Sequence, residues 1–187
     1  AVASHGALSA SGPSSFSGNG PSVSNGASFE AGTYDLSESG PSGYTPDTPW
    51  VCTGDGTKDD ADTITLGLGD SAVCTVTNRD DPPSLTLVKV VVNDNGGTAV
   101  ASHWALSANG PSSVSGNGPR VSNGASFDAG TYDLSESGPS GYTPDTPWVC
   151  TGDGTQEDAD TMTLGLGDYA ARTLPNPAGS PGTARDT

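Results

Sequence analysis

The chain has little positive charge: Lys and Arg together number 6 against 22 Asp and Glu, a formal net charge of -16 over 187 residues. Nucleic acid, whose phosphates need basic contacts, is therefore excluded as a partner. No run of about 18 apolar residues occurs, so no helical membrane span is expected. The chain opens Ala1-Val-Ala-Ser4 without a charged n-region or an apolar h-region, so no signal peptide is expected within it. Neither a Gly-x-Ser-x-Gly elbow nor an Asn-x-Ser/Thr sequon is present, and no segment holds a helical period. Cysteines number 3, with no Cys-x-x-Cys pair and no His at ligand spacing, so no metal site or cofactor is expected.

What fills the chain instead is a duplication. Ala1–Asn78 and Ala99–Asn176 align without a gap, and Ala31–Thr45 recurs letter for letter as Ala129–Thr143. Two domains follow: 1–80, a Pro-rich linker 81–84, and 85–176, with 177–187 expected to be a disordered tail. Most exchanges between the copies are mild, such as Phe16 to Val114 and Ile64 to Met162. They bunch at the end, where Ser71, Val73, Cys74, Val76 and Thr77 become Tyr169, Ala171, Arg172, Leu174 and Pro175. The last strand of the second copy is therefore expected to be damaged or replaced.

Glycine (27) and proline (15) fall between short alternating runs of Val, Thr, Leu, Tyr and Trp, and Asn-Gly pairs at Asn25, Asn109, Asn117 and Asn123 supply tight-turn residues. In the second copy, strands are expected around Trp104–Ala108, Arg120–Ser122, Ala125–Asp128, Thr131–Glu136, Thr146–Cys150 and Thr161–Leu166. The fold class is all-β: two tandem Ig-like antiparallel β-sandwich domains. Leu85–Val92, the most strand-like run, opens the second domain. The first has no equivalent ahead of Ala1, so either the array was cut there or the strand is borrowed from elsewhere.

Alternation over Thr131–Glu136 puts Glu136 on the same face as Tyr132 and Leu134, and Glu38 occupies the matching place in the first copy. A carboxylate on an apolar face costs several kcal/mol unless it is paired or protonated. Lys58 and Lys89 are the two lysines. Lys58 balances charge in an acidic loop. Lys89 shares a face with Leu85, Leu87 and Val91, yet the alternate face, Val88, Val90 and Val92, is apolar too. It is therefore either an edge-strand lysine that discourages aggregation or an inward one. An inward Lys89 beside Glu136 would favour a neutral amine and a protonated carboxyl, and Asn176 would supply an amide for that amine to attack, forming an isopeptide bond with loss of ammonia. Cys52 and Cys74, inward on different strands, read as a disulfide in an oxidising compartment. Cys150 has lost its mate to Arg172 and is a free or intermolecular thiol. The acidic loops Asp55–Asp62 and Asp153–Asp160 lack the Asp-x-Asp-x-Asp-Gly order of a calcium loop and read as solvated.

The pattern Gly-Thr-Tyr-x-Leu-x-Glu-x-x-Pro-x-Gly-Tyr at Gly130–Tyr142, a Lys in an opening strand and Val-Thr-Asn ending at Asn78 resemble the prealbumin-like (CnaB or SpaA type) domains of Gram-positive surface proteins and pilins. The Trp-x-Cys and Cys-Thr-Val-Thr-Asn pieces resemble tandem repeats of actinobacterial secreted proteins. The resemblance implies a sandwich stalk module in which Lys89, Asn176 and Glu136 crosslink the first and last strands. Two departures stand against it: the first domain has no opening-strand Lys, and Pro175 removes a ladder donor beside Asn176. The function expected is that of structural spacer repeats, not an enzyme, in a secreted or cell-wall protein whose partners are its neighbouring domains. The alternative is an adhesive module binding a glycan, a host or matrix protein or calcium through loops near Trp50 and Trp148.

Overall fold

Residues 6–144 and 148–177 are described by the structure, a computed structural model. The chain divides into two compact units, Ala1–Asp80 and Asp81–Thr187. Unit one contains β1 (Ala7–Ser11), β2 (Phe16–Asn19), β3 (Gly32–Ser39), β4 (Tyr44–Gly54), β5 (Thr57–Lys58), β6 (Thr63–Leu66) and β7 (Ala72–Asp80). Unit two contains β8 (Ser84–Val92), a 3-10 turn (Ala101–His103), β9 (Ala105–Asn109), β10 (Ser113–Asn117), β11 (Arg120–Ser122), β12 (Gly130–Ser137), β13 (Val149–Gly152), β14 (Thr155–Gln156), β15 (Thr161–Leu164) and β16 (Tyr169–Pro177).

Each unit packs one sheet on another. In unit two the sheets run β10-β9-β12-β15-β14 and β11-β8-β16-β13, and unit one repeats the first as β2-β1-β3-β6-β5. Alternation explains β12: Tyr132 and Leu134 point into the core, while Thr131 and Ser135 bond outward to Thr163 and Ser107 at 2.8 and 2.7 Å. Tyr132 also anchors the loop before it, donating to the Asp128 carbonyl at 2.6 Å and stacking on Phe127 at 4.6 Å. That contact is why Ala125–Asp128 is not the strand its composition suggests. Phe127 is a plug on the core, and the Asp128 N–H bonds Ser112 Oγ rather than a ladder carbonyl.

The last strand of unit two is intact, contrary to expectation. Ala170, Arg172, Leu174 and Asn176 keep the inward positions and all are buried, because the exchanges conserve the period of two. Pro177, assigned to the tail, lies within β16 opposite Val92, and 178–187 fall outside the described residues. The strand expected over Thr146–Cys150 is Val149–Gly152, and Asp145–Pro147 are likewise outside. One pairing departs from the antiparallel plan. β8 and β16 run parallel, from Ser84 opposite Tyr169 to Val92 opposite Pro177, which the long excursion through β9–β15 permits.

Among the described residues unit one has no counterpart of β8 or β11, and its second sheet is β4-β7. Leu106, Leu134, Val121 and Phe127 are buried in unit two, whereas Leu8, Leu36, Val23 and Phe29 at the matching places are half-exposed. Less apolar burial means weaker local stability. Amide exchange in β1, β3 and β6 is therefore expected to be faster than in β9, β12 and β15, as measured by native-state hydrogen exchange with mass detection. Equal protection in the two sets would contradict the open core.

Candidate functional site

The site grows from two neighbouring strands and one that faces them. β8 lies between β11 and β16 and is an inner strand, so Lys89 is not an edge lysine. Its side chain is buried with Leu85 and Leu87. Register places Leu174 opposite Lys89 and Asn176 opposite Val91, which brings the Lys89 and Asn176 side chains to the same stretch of core. From the facing sheet, Glu136 on β12 meets both. Lys89 Nζ donates to Glu136 Oε2 at 2.6 Å, and Asn176 Nδ2 donates to Glu136 Oε1 at 2.6 Å.

Lys89 and Asn176 are nearly dry, at 2% and 1% exposed, and the Glu136 side chain is 9% exposed. Burial pulls the Lys89 ammonium below the ordinary lysine range, against the hydrogen bond and charge of Glu136, which raise it. Trp104 closes the site, its ring centroid 5.2 Å from Nζ. Gly138 makes room for that ring, since a Cβ there would sit 2.2 Å from it. Asn176 Oδ1 is buried without a hydrogen-bond partner, an amide carbonyl presented bare. Pro175 does not interrupt this geometry. The Pro177 carbonyl accepts from the Thr143 N–H at 3.4 Å on the side away from β8, and residues two apart share a side, so the proline's missing donor faces away from the β8 ladder.

A family model for the prealbumin-like fold domain matches residues 1–76 and 80–174. The chain belongs to this family. Its two prealbumin-like units are also similar in structure to major pilin proteins of Streptococcus pyogenes. One is 14% identical with a TM-score of 0.41, covering 88% of this chain and 73% of that one. A second is 12% identical with a TM-score of 0.39, covering 95% and 91%. No curated protein matches the chain.

The two prealbumin-like units differ at the cysteine pair. In unit one Cys52 and Cys74, paired across β4 and β7, are disulfide-bonded with Cα atoms 4.0 Å apart. Asn78 Nδ2 bonds Glu38 Oε2 at 3.0 Å in an exposed setting, without the lysine. In unit two Cys150 is free, and Arg172 stands opposite it with its guanidinium wholly buried against Met162 Sδ and Gln156 Oε1.

Sequence reasoning missed Trp104 and Arg172. The signal for the first was the exchange of Gly6 for Trp104 within an otherwise identical segment. Trp148 is a core residue and Trp50 is buried, so neither offers an exposed aromatic anchor. In the acidic loops, side-chain hydrogen bonds from Thr63 and Thr161, followed by the backbone N–H groups of Asp62 and Asp160, hold the Asp60 and Asp158 carboxyls below the usual range. Among the described residues no group of three or more His, Cys, Asp or Glu is placed to hold a metal ion. No described helix is long and apolar enough to cross a membrane.

Proposed function

We propose that the chain provides spacer repeats of a secreted or cell-surface protein, and that unit two seals itself once with an isopeptide bond between Lys89 and Asn176. The observation that carries this is the bridging of Lys89 and Asn176 by the two oxygens of Glu136, in a buried site that joins the first strand to the last. Passing the Nζ proton to Oε2 along the 2.6 Å hydrogen bond leaves a neutral amine and a neutral carboxyl. The amine attacks Cγ of Asn176. The carboxyl hydrogen-bonds the amide as negative charge develops on Oδ1, then returns the proton to Nδ2. The Cγ–Nδ2 bond breaks, ammonia leaves, the second Nζ proton passes to the Glu136 carboxylate, and Nζ–Cγ is a neutral amide.

The reaction consumes its own side chains and has no turnover, which suits a structural module rather than an enzyme. The Cys52–Cys74 disulfide suits an oxidising, extracytoplasmic setting. Neighbouring domains of the parent protein are the partners this reading requires.

Intact-mass spectrometry of the purified chain tests it. The expected mass is that of the sequence, corrected for the disulfide, less one ammonia. Lys89→Ala, Asn176→Ala and Glu136→Ala should each restore the missing ammonia. A wild-type mass with no such loss would remove the crosslink and leave the spacer reading on the fold alone.

A further inference from the structure

Arg172 is a buried cation without a carboxylate. Among the described residues Lys89 has Glu136 and Arg79 has Asp47, but no carboxylate is paired with Arg172, which is wholly buried. Nε donates to Met162 Sδ at 3.3 Å and Nη1 to Gln156 Oε1 at 2.8 Å, both neutral acceptors. Nη2 is buried and donates to nothing. Such a group calls for an anionic acceptor. What faces it is sulfur. Cys150 on β13 lies opposite Arg172 on β16, and the alternation that exposes Val149 and Thr151 turns Cys150 inward on the guanidinium's side of the sheet. Burial pulls the Arg172 guanidinium below its ordinary range, and negative charge on Cys150 acts the other way. The chain has 3 cysteines, and Cys52 is bonded to Cys74, so Cys150 has no second thiol of its own chain to join.

We propose that Cys150 is an oxidation site for a small peroxide and that Arg172 holds the sulfenate formed there. β13 is the outer strand of its sheet and Cys150 is half-buried in it, a setting that suits hydrogen peroxide better than a bulky disulfide. Sγ gives its proton to solvent and, as the thiolate, attacks one oxygen of the peroxide. The O–O bond breaks and hydroxide leaves. The sulfur is oxidised by two electrons and the peroxide reduced by the same two, and the S–OH proton passes to the hydroxide, leaving a sulfenate and water. The new oxygen accepts from Nη2, so the buried cation acquires the anionic partner it lacks. With Cys52 and Cys74 already bonded to each other, no thiol of the chain condenses with the sulfenate, and it persists. Arg172 is a positioning residue in this step, and Cys150 the reacting one.

The full chain is treated with hydrogen peroxide, and the sulfenate is trapped with a cyclic diketone and located by peptide mass spectrometry. The adduct should fall on Cys150. It should form about tenfold faster in the folded chain than in the same chain in denaturant, the factor that one charge-assisted hydrogen bond supplies. Arg172→Met keeps the unbranched stem and removes the donors, and should bring the folded rate down to that in denaturant. Arg172→Lys keeps a cation and should restore part of the difference. Native fluorescence of Trp104 and Trp148 shows that each variant retains the fold of unit two, and the comparison of folded with denatured wild type decides the matter without any variant. Trapping no faster in the folded chain overturns the site. A folded Arg172→Met chain that reacts as fast as wild type overturns the role of Arg172. Oxidation that passes to the sulfonate without a trappable sulfenate, or that yields a Cys150-linked dimer instead, overturns the product.

Discussion

Glu136→Ala is expected to destabilise unit two by about 3–5 kcal/mol, the cost of leaving a buried charge without its counter-ion, before any covalent link is counted. Lys89 Nζ has Glu136 as its salt-bridge partner and the Trp104 ring beside it, and the lysine side chain is wholly buried. Asn176 loses its Nδ2 bond at the same time, with Oδ1 already unpaired. Glu38→Ala is the internal control. The same residue, in the same local sequence, is part-exposed in unit one and holds only Asn78, so its removal should change stability by no more than about 0.5 kcal/mol. Lys89→Met separates charge from volume: it removes the buried cation, keeps the unbranched stem, and should cost less than Glu136→Ala. Chemical denaturation of the three variants, followed through Trp104 and Trp148 for unit two and Trp50 for unit one, gives the comparison. Equal losses at Glu38 and Glu136 would show that the buried pair does not hold unit two together.

The second large effect is a gain. Arg172→Cys should let Cys150 close the bridge that Cys52 and Cys74 make in unit one, since Cys150 lies opposite Arg172 in register as Cys52 lies opposite Cys74. With the 22-residue separation of the existing bridge, the loop-entropy estimate is about 3 kcal/mol. Removing the guanidinium works in the same direction, because its Nη2 is buried with no hydrogen-bond partner. The lost volume beside Met162 works against it. A net stabilisation of about 3 kcal/mol is expected under oxidising conditions and should vanish with reductant, with thiol titration falling to zero in the oxidised variant. A persistent free thiol would show that the two positions do not meet as their counterparts do.

How far the sequence reveals this depends on which interactions are local. The inward aim of Glu136 follows from alternation with Tyr132 and Leu134, and that period survives in the strand. Lys89 was ambiguous because both faces of Leu85–Val92 are apolar. Only pairing with β11 on one side and β16 on the other makes it an inner lysine, and partners distant in the chain leave no mark on a strand's own pattern. The identical segments Val23–Phe29 and Val121–Phe127 state the limit sharply: the strand that includes Val121 exists because β8 is beside it. In β16 the error ran the other way. A cluster of exchanges suggested damage, but Arg172 is long enough to reach Gln156 from an inward position, and the spacing of inward residues was never broken.

The parallel run of β8 against β16 has a mechanical consequence. The backbone enters unit two beside Tyr169 and leaves it beside Val92, at opposite ends of one ladder. Tension along the chain therefore drags the two strands past each other lengthwise, loading all their hydrogen bonds together instead of peeling them singly. Were Lys89 joined to Asn176, the pull would cross from one strand to the other through that amide, and everything from β9 to β15 would hang slack beside the loaded path.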